Sequence, residues 1–137
     1  MGNRLGIGDR PIDVASDDDV ARSVLLVEDD PDLGEALGGL LAKFGWVVRL
    51  EPDGAKAMDA LRAGYSPRVI VCDLMMPNMD GYRFRAAQLD DPAVARIPVV
   101  VITSDSRATA EQLRVNACLR KPFEVEALLA ELARLAG

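Results

Sequence analysis

Five short apolar segments, each followed by a segment whose apolar residues recur at helical spacing, limit what this chain can fold into. The apolar segments lie at 23–28, 46–51, 67–73, 97–103 and 117–121. The helical segments lie at about 31–44, 54–63, 80–89, 107–115 and 124–135. Strands that are apolar along nearly their whole length are covered on both faces, which is typical of parallel sheets with helical connections. The sequence therefore predicts a doubly wound α/β domain, with a five-stranded parallel sheet and helices on both faces.

The first helical segment begins with a clear start signal. Asp30 is a suitable N-cap, and Pro31 suits the first helical position. Its apolar residues predict a helix with one buried stripe, made of Leu33, Leu37, Leu40, Leu41 and Phe44. Glycines within the segment weaken the helix by about 1 kcal/mol each relative to alanine, so tertiary packing has to stabilise it.

Composition and charge argue against several classes of function. The 137 residues carry a net charge of −6, so we expect neither a basic surface for nucleic acid nor docking on an anionic membrane. The chain contains no histidine, which excludes histidine-dependent acid–base catalysis, Ser-His nucleophiles and histidine metal sites within it. No apolar stretch is long enough to span a membrane, and the N-terminus lacks the apolar core of a signal peptide. We therefore expect a soluble, cytoplasmic protein.

The N-terminal residues differ from the rest of the chain. Residues 1–22 show no sustained periodicity and include an acidic run at 17–19, so we predict a flexible acidic extension. The domain itself would then cover residues 23–137. Its two cysteines, Cys72 and Cys118, lie in separate apolar segments without a disulfide pattern, as expected of reduced thiols.

Charged and polar residues stand at the carboxyl ends of four predicted strands. They are Glu28, Asp29, Asp30, Asp73, Thr103 and Lys121. In a doubly wound sheet these ends lie along one edge, where ligands bind. Carboxylates that lie close together repel each other unless a cation or a proton compensates them. All-oxygen ligands suit Mg²⁺, and a carboxylate can itself be phosphorylated. This edge therefore predicts a Mg²⁺ site that accepts a phosphoryl group. For Asp30 and Asp32 taken alone, a favourable place in the first helical turn is the simpler interpretation.

Four motifs carry a family resemblance: VLLVEDDPDL, VIVCDLMMPNMDG, VVVITSDS and LRKPF, in this order. With them, the chain from Ser23 to about Leu135 resembles the receiver domain of bacterial two-component response regulators. The resemblance implies a flavodoxin-like sheet with strand order 2-1-3-4-5. It also implies that Asp73 is the phosphoacceptor, that Asp29 binds Mg²⁺ directly and that Glu28 does so partly through water.

The same resemblance implies the roles of the remaining site residues. The backbone carbonyl of Met75 would complete the protein's metal ligands, Thr103 would bind the phosphoryl group and shift with it, and Lys121 would form an ion pair with it. The Lys121–Pro122 peptide bond is expected to be cis. With Mg²⁺ as cofactor, the domain would catalyse its own phosphorylation and dephosphorylation without being a conventional enzyme.

The resemblance also implies partners. Since the chain has no histidine, the phosphoryl donor would be a separate sensor histidine kinase or phosphotransfer protein, or a small acyl phosphate. About 14 residues follow Phe123, enough for the last helix, so we expect a stand-alone receiver that signals by contact with a downstream protein. We expect no nucleic-acid or membrane partner, and a monomer or a weak homodimer.

Two features depart from the family pattern. Cys118 stands where the family usually has a tyrosine or phenylalanine whose rotation accompanies activation. A small buried side chain on the fifth strand is the simpler interpretation of this cysteine, and redox sensing is the alternative. Seventeen residues separate Thr103 from Lys121, roughly four fewer than in a typical member, which corresponds to about one helical turn. We therefore predict that the fourth helix or the loop after it is shortened. Our hypothesis is that the phosphorylation site is retained and that the signal passes through this remodelled region.

Two other functions fit parts of the pattern. A receiver-shaped module could bind a partner without phosphorylation, but the acidic pair, Asp73, Thr103 and Lys121 argue against it. A phosphatase of the haloacid dehalogenase type also uses an aspartate at a strand end, but it normally has a second aspartate where this chain has Met75. Nucleotide-binding glycine motifs are absent from the sequence.

Overall fold

Strands and helices alternate along the described part of the chain. The computed structural model describes residues 21–137, so residues 1–20 of the predicted extension lie outside it. The strands β1 to β5 are Ser23–Val27, Val47–Glu51, Val69–Asp73, Val99–Thr103 and Ala117–Arg120. The helices α1 to α5 are Pro31–Lys43, Gly54–Arg62, Gly81–Leu89, Ala110–Leu113 and Val125–Ala136. Each predicted strand and helix therefore has a counterpart in the structure.

The strands form one parallel sheet in the order β2-β1-β3-β4-β5. This confirms the predicted doubly wound topology, in which the chain starts inside the sheet and winds outward in both directions. Because the strands run the same way, their carboxyl ends lie along one edge. In this register Asp73 of β3 lies opposite Ile102 of β4, and Thr103 of β4 lies opposite Arg120 of β5. The residues that end or follow these strands therefore meet at one edge.

Two apolar cores lie on the two faces of the sheet. Successive side chains of a strand point to opposite faces. Those of β1 enter the two cores in turn: Val24, Leu25, Leu26 and Val27. Helices α2, α3 and α4 cover the first core through Ala57, Met58, Leu61, Phe84 and Leu113. Helices α1 and α5 cover the second core through Leu37, Leu41, Leu128 and Leu132. Within residues 21–137, no helix has the length and apolar character needed to cross a membrane.

The buried face of α1 differs from the predicted stripe. Leu37 and Leu41 are buried in the second core. The other three residues, Leu33, Leu40 and Phe44, are 41%, 37% and 54% exposed. The prediction that all five residues form one buried stripe is therefore wrong for these three.

Glycines occupy the face of α1 that lies against the sheet. Gly34 is buried, and a Cβ atom there would lie 3.0 Å from Cδ1 of Leu50 in β2. A Cβ atom on Gly38 would lie 3.5 Å from Cγ1 of Val48, also in β2. The helix packs closely on the sheet through these small residues, so the apolar pattern alone misplaced its buried face.

The fourth helix is a single turn, which confirms the predicted shortening. Helix α4 covers only Ala110–Leu113, whereas the sequence predicted a helix over about 107–115. It ends at Arg114, whose φ of 59° is left-handed. The guanidinium of Arg85 in α3 donates from Nε to the Arg114 carbonyl and from Nη1 to Oε1 of Gln88, each at 2.7 Å. This contact with α3 fixes the point where α4 ends.

Candidate functional site

Asp73 and Lys121 lie in contact at the carboxyl edge of the sheet. Asp73 is the last residue of β3 and is 7% exposed. Lys121 directly follows β5, and its Nζ lies 3.1 Å from Oδ2 of Asp73. The other carboxylate oxygen, Oδ1, accepts a hydrogen bond from the backbone N–H of Met75 at 3.3 Å. A buried strand thus ends on a carboxylate that is paired with an ammonium group.

Glu28, directly after β1, is buried and incompletely paired. Only 2% of it is exposed, and its Oε2 accepts a hydrogen bond from the backbone N–H of Asp30 at 3.1 Å. Its Oε1 has no hydrogen-bond partner among the described residues, and Nζ of Lys121 lies 4.0 Å away. Burial raises the pKa of Glu28 to about 7, although the hydrogen bond from Asp30 opposes the shift. A buried oxygen in this state is suited to a proton or a cation.

Three carboxylates meet at this edge. Glu28, Asp29 and Asp73 each offer an oxygen, and these oxygens lie within 4.8 Å of one another. Asp29 is exposed while the other two are buried, so water can reach one side of the cluster. The all-oxygen donor set and the unpaired Oε1 of Glu28 fit a hard divalent cation such as Mg²⁺. Asp30 has a different role, since its carboxylate accepts hydrogen bonds from backbone N–H groups and caps α1.

Thr103 connects the edge of the sheet to the loop between β4 and α4. It is the last residue of β4 and is 1% exposed. Its Oγ1 accepts a hydrogen bond from the backbone N–H of Asp105 at 3.0 Å, and its carbonyl accepts one from the N–H of Lys121 at 2.8 Å. The hydroxyl proton of Thr103 therefore remains available for donation to a ligand.

All six predicted site residues lie at or next to this edge. They are Glu28, Asp29, Asp73, Met75, Thr103 and Lys121. Polar contacts join several of them, and the Lys121–Pro122 peptide bond is cis, as the resemblance implied. Their individual roles in phosphorylation and metal binding stay predictions.

Sequence reasoning missed Arg120. Its guanidinium donates from Nε to the Ser106 carbonyl at 3.2 Å and from Nη2 to the Ala108 carbonyl at 2.8 Å. Sγ of Cys118 lies 4.0 Å from the same Ala108 carbonyl. Arg120 therefore holds the β4–α4 loop against β5, close to the position where the family usually has an aromatic residue. Its place before Lys121 was the only signal in the sequence, and that position does not reveal a contact with the loop.

Sequence reasoning also missed the contact between Asp53 and Asn78. Asp53 directly precedes the predicted helix at 54–63, and Asn78 lies within the VIVCDLMMPNMDG motif. In the structure, Nδ2 of Asn78 donates to Oδ2 of Asp53 at 3.1 Å. The Pro-Asn pair at 77–78 is a turn signal, but it does not indicate which segment the turn approaches.

Comparison with known proteins identifies the family. A doubly wound parallel sheet whose carboxyl edge combines three acids, a threonine and a lysine is the architecture of a receiver-type signalling domain. The family model of the response regulator receiver domain matches residues 24–133 of this chain. The chain therefore belongs to the response regulator receiver domain family.

Two similar response regulators are longer than this chain. Response regulator Rre1 of Synechocystis is 32% identical over 118 residues, which cover 82% of this chain and 51% of that protein. Response regulator MprA of a Mycobacterium species is 33% identical over 119 residues, which cover 82% of this chain and 49% of that protein. This chain thus spans about half the length of these two relatives.

Solved structures include a similar domain with a bound metal ion. This domain is the receiver domain of a sensor histidine kinase from Pseudomonas aeruginosa, with a magnesium ion coordinated in its active-site cleft. It is 27% identical, with a TM-score of 0.77 over 85% of this chain and 98% of that one. The similarity agrees with the α/β architecture described above.

Proposed function

We propose that this receiver domain accepts a phosphoryl group on Asp73 and that the phosphorylated form binds a downstream protein. The contact between Nζ of Lys121 and Oδ2 of Asp73, at 3.1 Å, carries the proposal. It puts a positive charge beside the carboxylate that would be phosphorylated, where negative charge increases as the phosphoryl group arrives.

Asp73 would act as the nucleophile. One of its carboxylate oxygens forms a bond to phosphorus while the P–N bond of a donor phosphohistidine breaks, and the imidazole nitrogen keeps the electron pair of that bond. Lys121 then forms an ion pair with a phosphoryl oxygen. Thr103 donates its hydroxyl proton to another phosphoryl oxygen, because its Oγ1 is at present only an acceptor from Asp105.

We propose Mg²⁺ as the cofactor, held by Glu28, Asp29, Asp73 and the backbone carbonyl of Met75. When bound, the ion would neutralise part of the negative charge of the carboxylates and of the phosphoryl oxygens. The buried, unpaired Oε1 of Glu28 and the spacing of the three acids within 4.8 Å support this assignment.

The donor would be a histidine kinase or a phosphotransfer protein. Receiver domains take phosphoryl groups from histidine kinases, and these 137 residues contain no histidine, so the donor phosphohistidine lies outside this sequence. We further propose a cytoplasmic receiver that is a monomer or a weak homodimer. The net charge of −6 supports a protein rather than a nucleic acid as the downstream partner.

The signal would leave the site through residues 104–120. Thr103 is hydrogen-bonded to Asp105, and Arg120 is hydrogen-bonded to two carbonyls of the same loop. A movement of the Thr103 hydroxyl toward a phosphoryl oxygen would break its bond with Asp105. The loop would then change its position relative to β5, without the usual aromatic residue.

Radiolabelling with a small acyl phosphate tests the proposed phosphorylation. We expect Mg²⁺-dependent incorporation of label into the wild-type protein, complete loss in Asp73→Asn, and lability of the label to hydroxylamine. Asp59→Asn is the matched control, because it makes the same chemical change at an exposed carboxylate on α2. Undiminished labelling of Asp73→Asn would place the phosphoryl group elsewhere. An unlabelled wild-type protein that still binds its partner would favour the phosphorylation-independent module.

A further inference from the structure

The loops that precede α2 and α3 are hydrogen-bonded to each other, next to the segment that follows Asp73. Nδ2 of Asn78 donates to Oδ2 of Asp53 at 3.1 Å. In the opposite direction, the backbone N–H of Gly54 donates to the Met79 carbonyl at 3.1 Å. We call these two hydrogen bonds, between Asp53–Gly54 and Asn78–Met79, the loop contact.

The backbone of both loops is shaped for this contact. Asn78 has a φ of 66°, a left-handed conformation that asparagine adopts more readily than most residues. A Cβ atom on Gly54 would lie 2.7 Å from the Met79 carbonyl oxygen, so only glycine allows the two loops to approach this closely. The contact therefore depends on an asparagine in the turn and a glycine at the helix start.

Asp53 is buried, and both of its oxygens are used. Its Oδ1 accepts from the backbone N–H of Lys56 at 2.8 Å and caps α2, while its Oδ2 accepts from Asn78. The residue is 5% exposed. A buried carboxylate that lost either partner would keep its desolvation cost without the compensating hydrogen bond. Asn78 is therefore the group that satisfies the oxygen of Asp53 facing the turn.

The segment between β3 and α3 is attached at both ends. At its start the Met75 N–H donates to Asp73 Oδ1, and at its end the Gly81 N–H donates to the Leu74 carbonyl at 2.8 Å. Its middle is the turn that carries Asn78, which the loop contact ties to α2. The same segment includes the Met75 carbonyl that we propose as a metal ligand.

We propose that Asp53 and Asn78 are positioning residues, which hold the segment between Asp73 and α3 so that the Met75 carbonyl can serve the metal site. Neither residue belongs to the acidic cluster, so both would act through the backbone. The inference rests on the proposed function, because it concerns the same metal site.

Exchange of the two side chains tests the inference. Asn78→Asp keeps a residue that tolerates the left-handed conformation, but it turns a second carboxylate toward Asp53. Asp53→Asn keeps a good N-cap for α2 and can still bond to Asn78 through a rotated amide. The double variant Asp53→Asn/Asn78→Asp restores one donor and one acceptor and has the net charge of the wild type.

The dissociation constant of Mg²⁺, measured by calorimetry without a phosphoryl donor, is the first readout. We expect it to rise about 10-fold in Asn78→Asp, in line with the effect of losing outer-shell partners of metal ligands. We expect near wild-type values in Asp53→Asn and in the double variant. An added negative charge by itself would tighten Mg²⁺ binding, so weaker binding in Asn78→Asp cannot come from the change in net charge.

Amide hydrogen exchange of Gly54 in the metal-free protein is the second readout. We expect faster exchange in Asn78→Asp, because the loop contact opens, and restored protection in the double variant. Wild-type Mg²⁺ affinity in Asn78→Asp, or a double variant as weak as that single variant, would overturn the inference. A wild-type protein that is not labelled on Asp73 would instead overturn the proposed function, while Gly54 exchange still reports on the loop contact.

Discussion

The ammonium group of Lys121 lies 3.1 Å from Oδ2 of Asp73 and 4.0 Å from Oε1 of Glu28. Among the ion pairs of the described residues, Lys121 thus supplies the positive charge that lies closest to Asp73 and Glu28, two of the three clustered acids. In the metal-free protein it occupies the electrostatic position that a divalent cation would also favour. Lys121 should therefore oppose metal binding while it promotes phosphorylation.

Lys121→Ala is expected to separate these two effects. The variant removes the repulsion between the ammonium group and Mg²⁺. A repulsion of about 1 kcal/mol corresponds to Mg²⁺ binding that is about 5-fold tighter in the variant. Loss of the ion pair with the phosphoryl group would slow labelling by at least about 10-fold. Calorimetry and radiolabelling measure the two effects. Lys43→Ala, at an exposed site in the last turn of α1, removes the same charge far from the edge and should change neither.

Glu28 should make the stability of the metal-free protein depend on pH. In the folded state its pKa is raised to about 7 by burial, whereas the unfolded residue titrates near 4.5. Between these values the folded state holds more protons, so the free energy of unfolding falls as pH rises. The stabilisation is complete below about pH 4.5 and lost above about pH 7, and its size is about 3 kcal/mol at most.

Glu28→Gln isolates this contribution, because glutamine stays neutral. Denaturant unfolding of both proteins without metal, between pH 4 and pH 8, should give curves that diverge in this window, with the variant more stable at the higher pH. Added Mg²⁺ should stabilise the wild type more at pH 8 than at pH 5, since it binds the ionised carboxylate. Parallel curves for the two proteins would contradict the prediction.

The sequence was sufficient to predict the sheet and the composition of its carboxyl edge. Alternation of apolar strands with helices fixes a parallel sheet, and a parallel sheet brings its strand ends to one edge. The positions of Glu28, Asp73, Thr103 and Lys121 follow from that topology alone. Their roles in phosphorylation are implied by the family resemblance and stay predictions.

The contacts that hold the loops of the site could not be predicted in this way. Asn78 with Asp53, and Arg120 with Ala108, join segments that are 25 and 12 residues apart in sequence. Each depends on local backbone conformation, such as the left-handed φ at Asn78, which leaves no periodic signal. The sequence therefore predicted where the site lies but not which residues fix its loops.

Two glycines of α1 should respond differently to alanine, because only one of them faces the sheet. A Cβ atom on Gly39 meets nothing within 4 Å, whereas one on Gly34 would lie 3.0 Å from Leu50. Gly39→Ala should stabilise the protein by about 0.5–1 kcal/mol through helix propensity alone. Gly34→Ala should lose most of this gain, since Leu50 has to move. Thermal unfolding of the pair checks the prediction, and equal increases in Tm would contradict it.

Arg120 should control how far a phosphoryl mimic perturbs the shortened α4 region. Its two hydrogen bonds hold the carbonyls of Ser106 and Ala108, and the N–H of Ala108 donates to the Asp105 carbonyl at 3.3 Å. Arg120→Met removes the donors but keeps an apolar stem, so we expect a loss of about 1 kcal/mol in stability. Amide exchange at Ala108 should become faster.

Changes in the NMR chemical shifts of the backbone amides on addition of beryllofluoride with Mg²⁺ test whether the signal passes through the hydrogen bonds of Arg120. In the wild type we expect shifts at Asp73 and throughout 104–120. In Arg120→Met the shift changes at Asp73 should persist. Those at 115–120 should become smaller, because Arg120 no longer hydrogen-bonds the loop to β5. Arg107→Met is the control, since Arg107 is 90% exposed and pairs with Asp105 of its own loop. If residues 104–120 stay unperturbed in the wild type while Asp73 shifts, the signal leaves by another route.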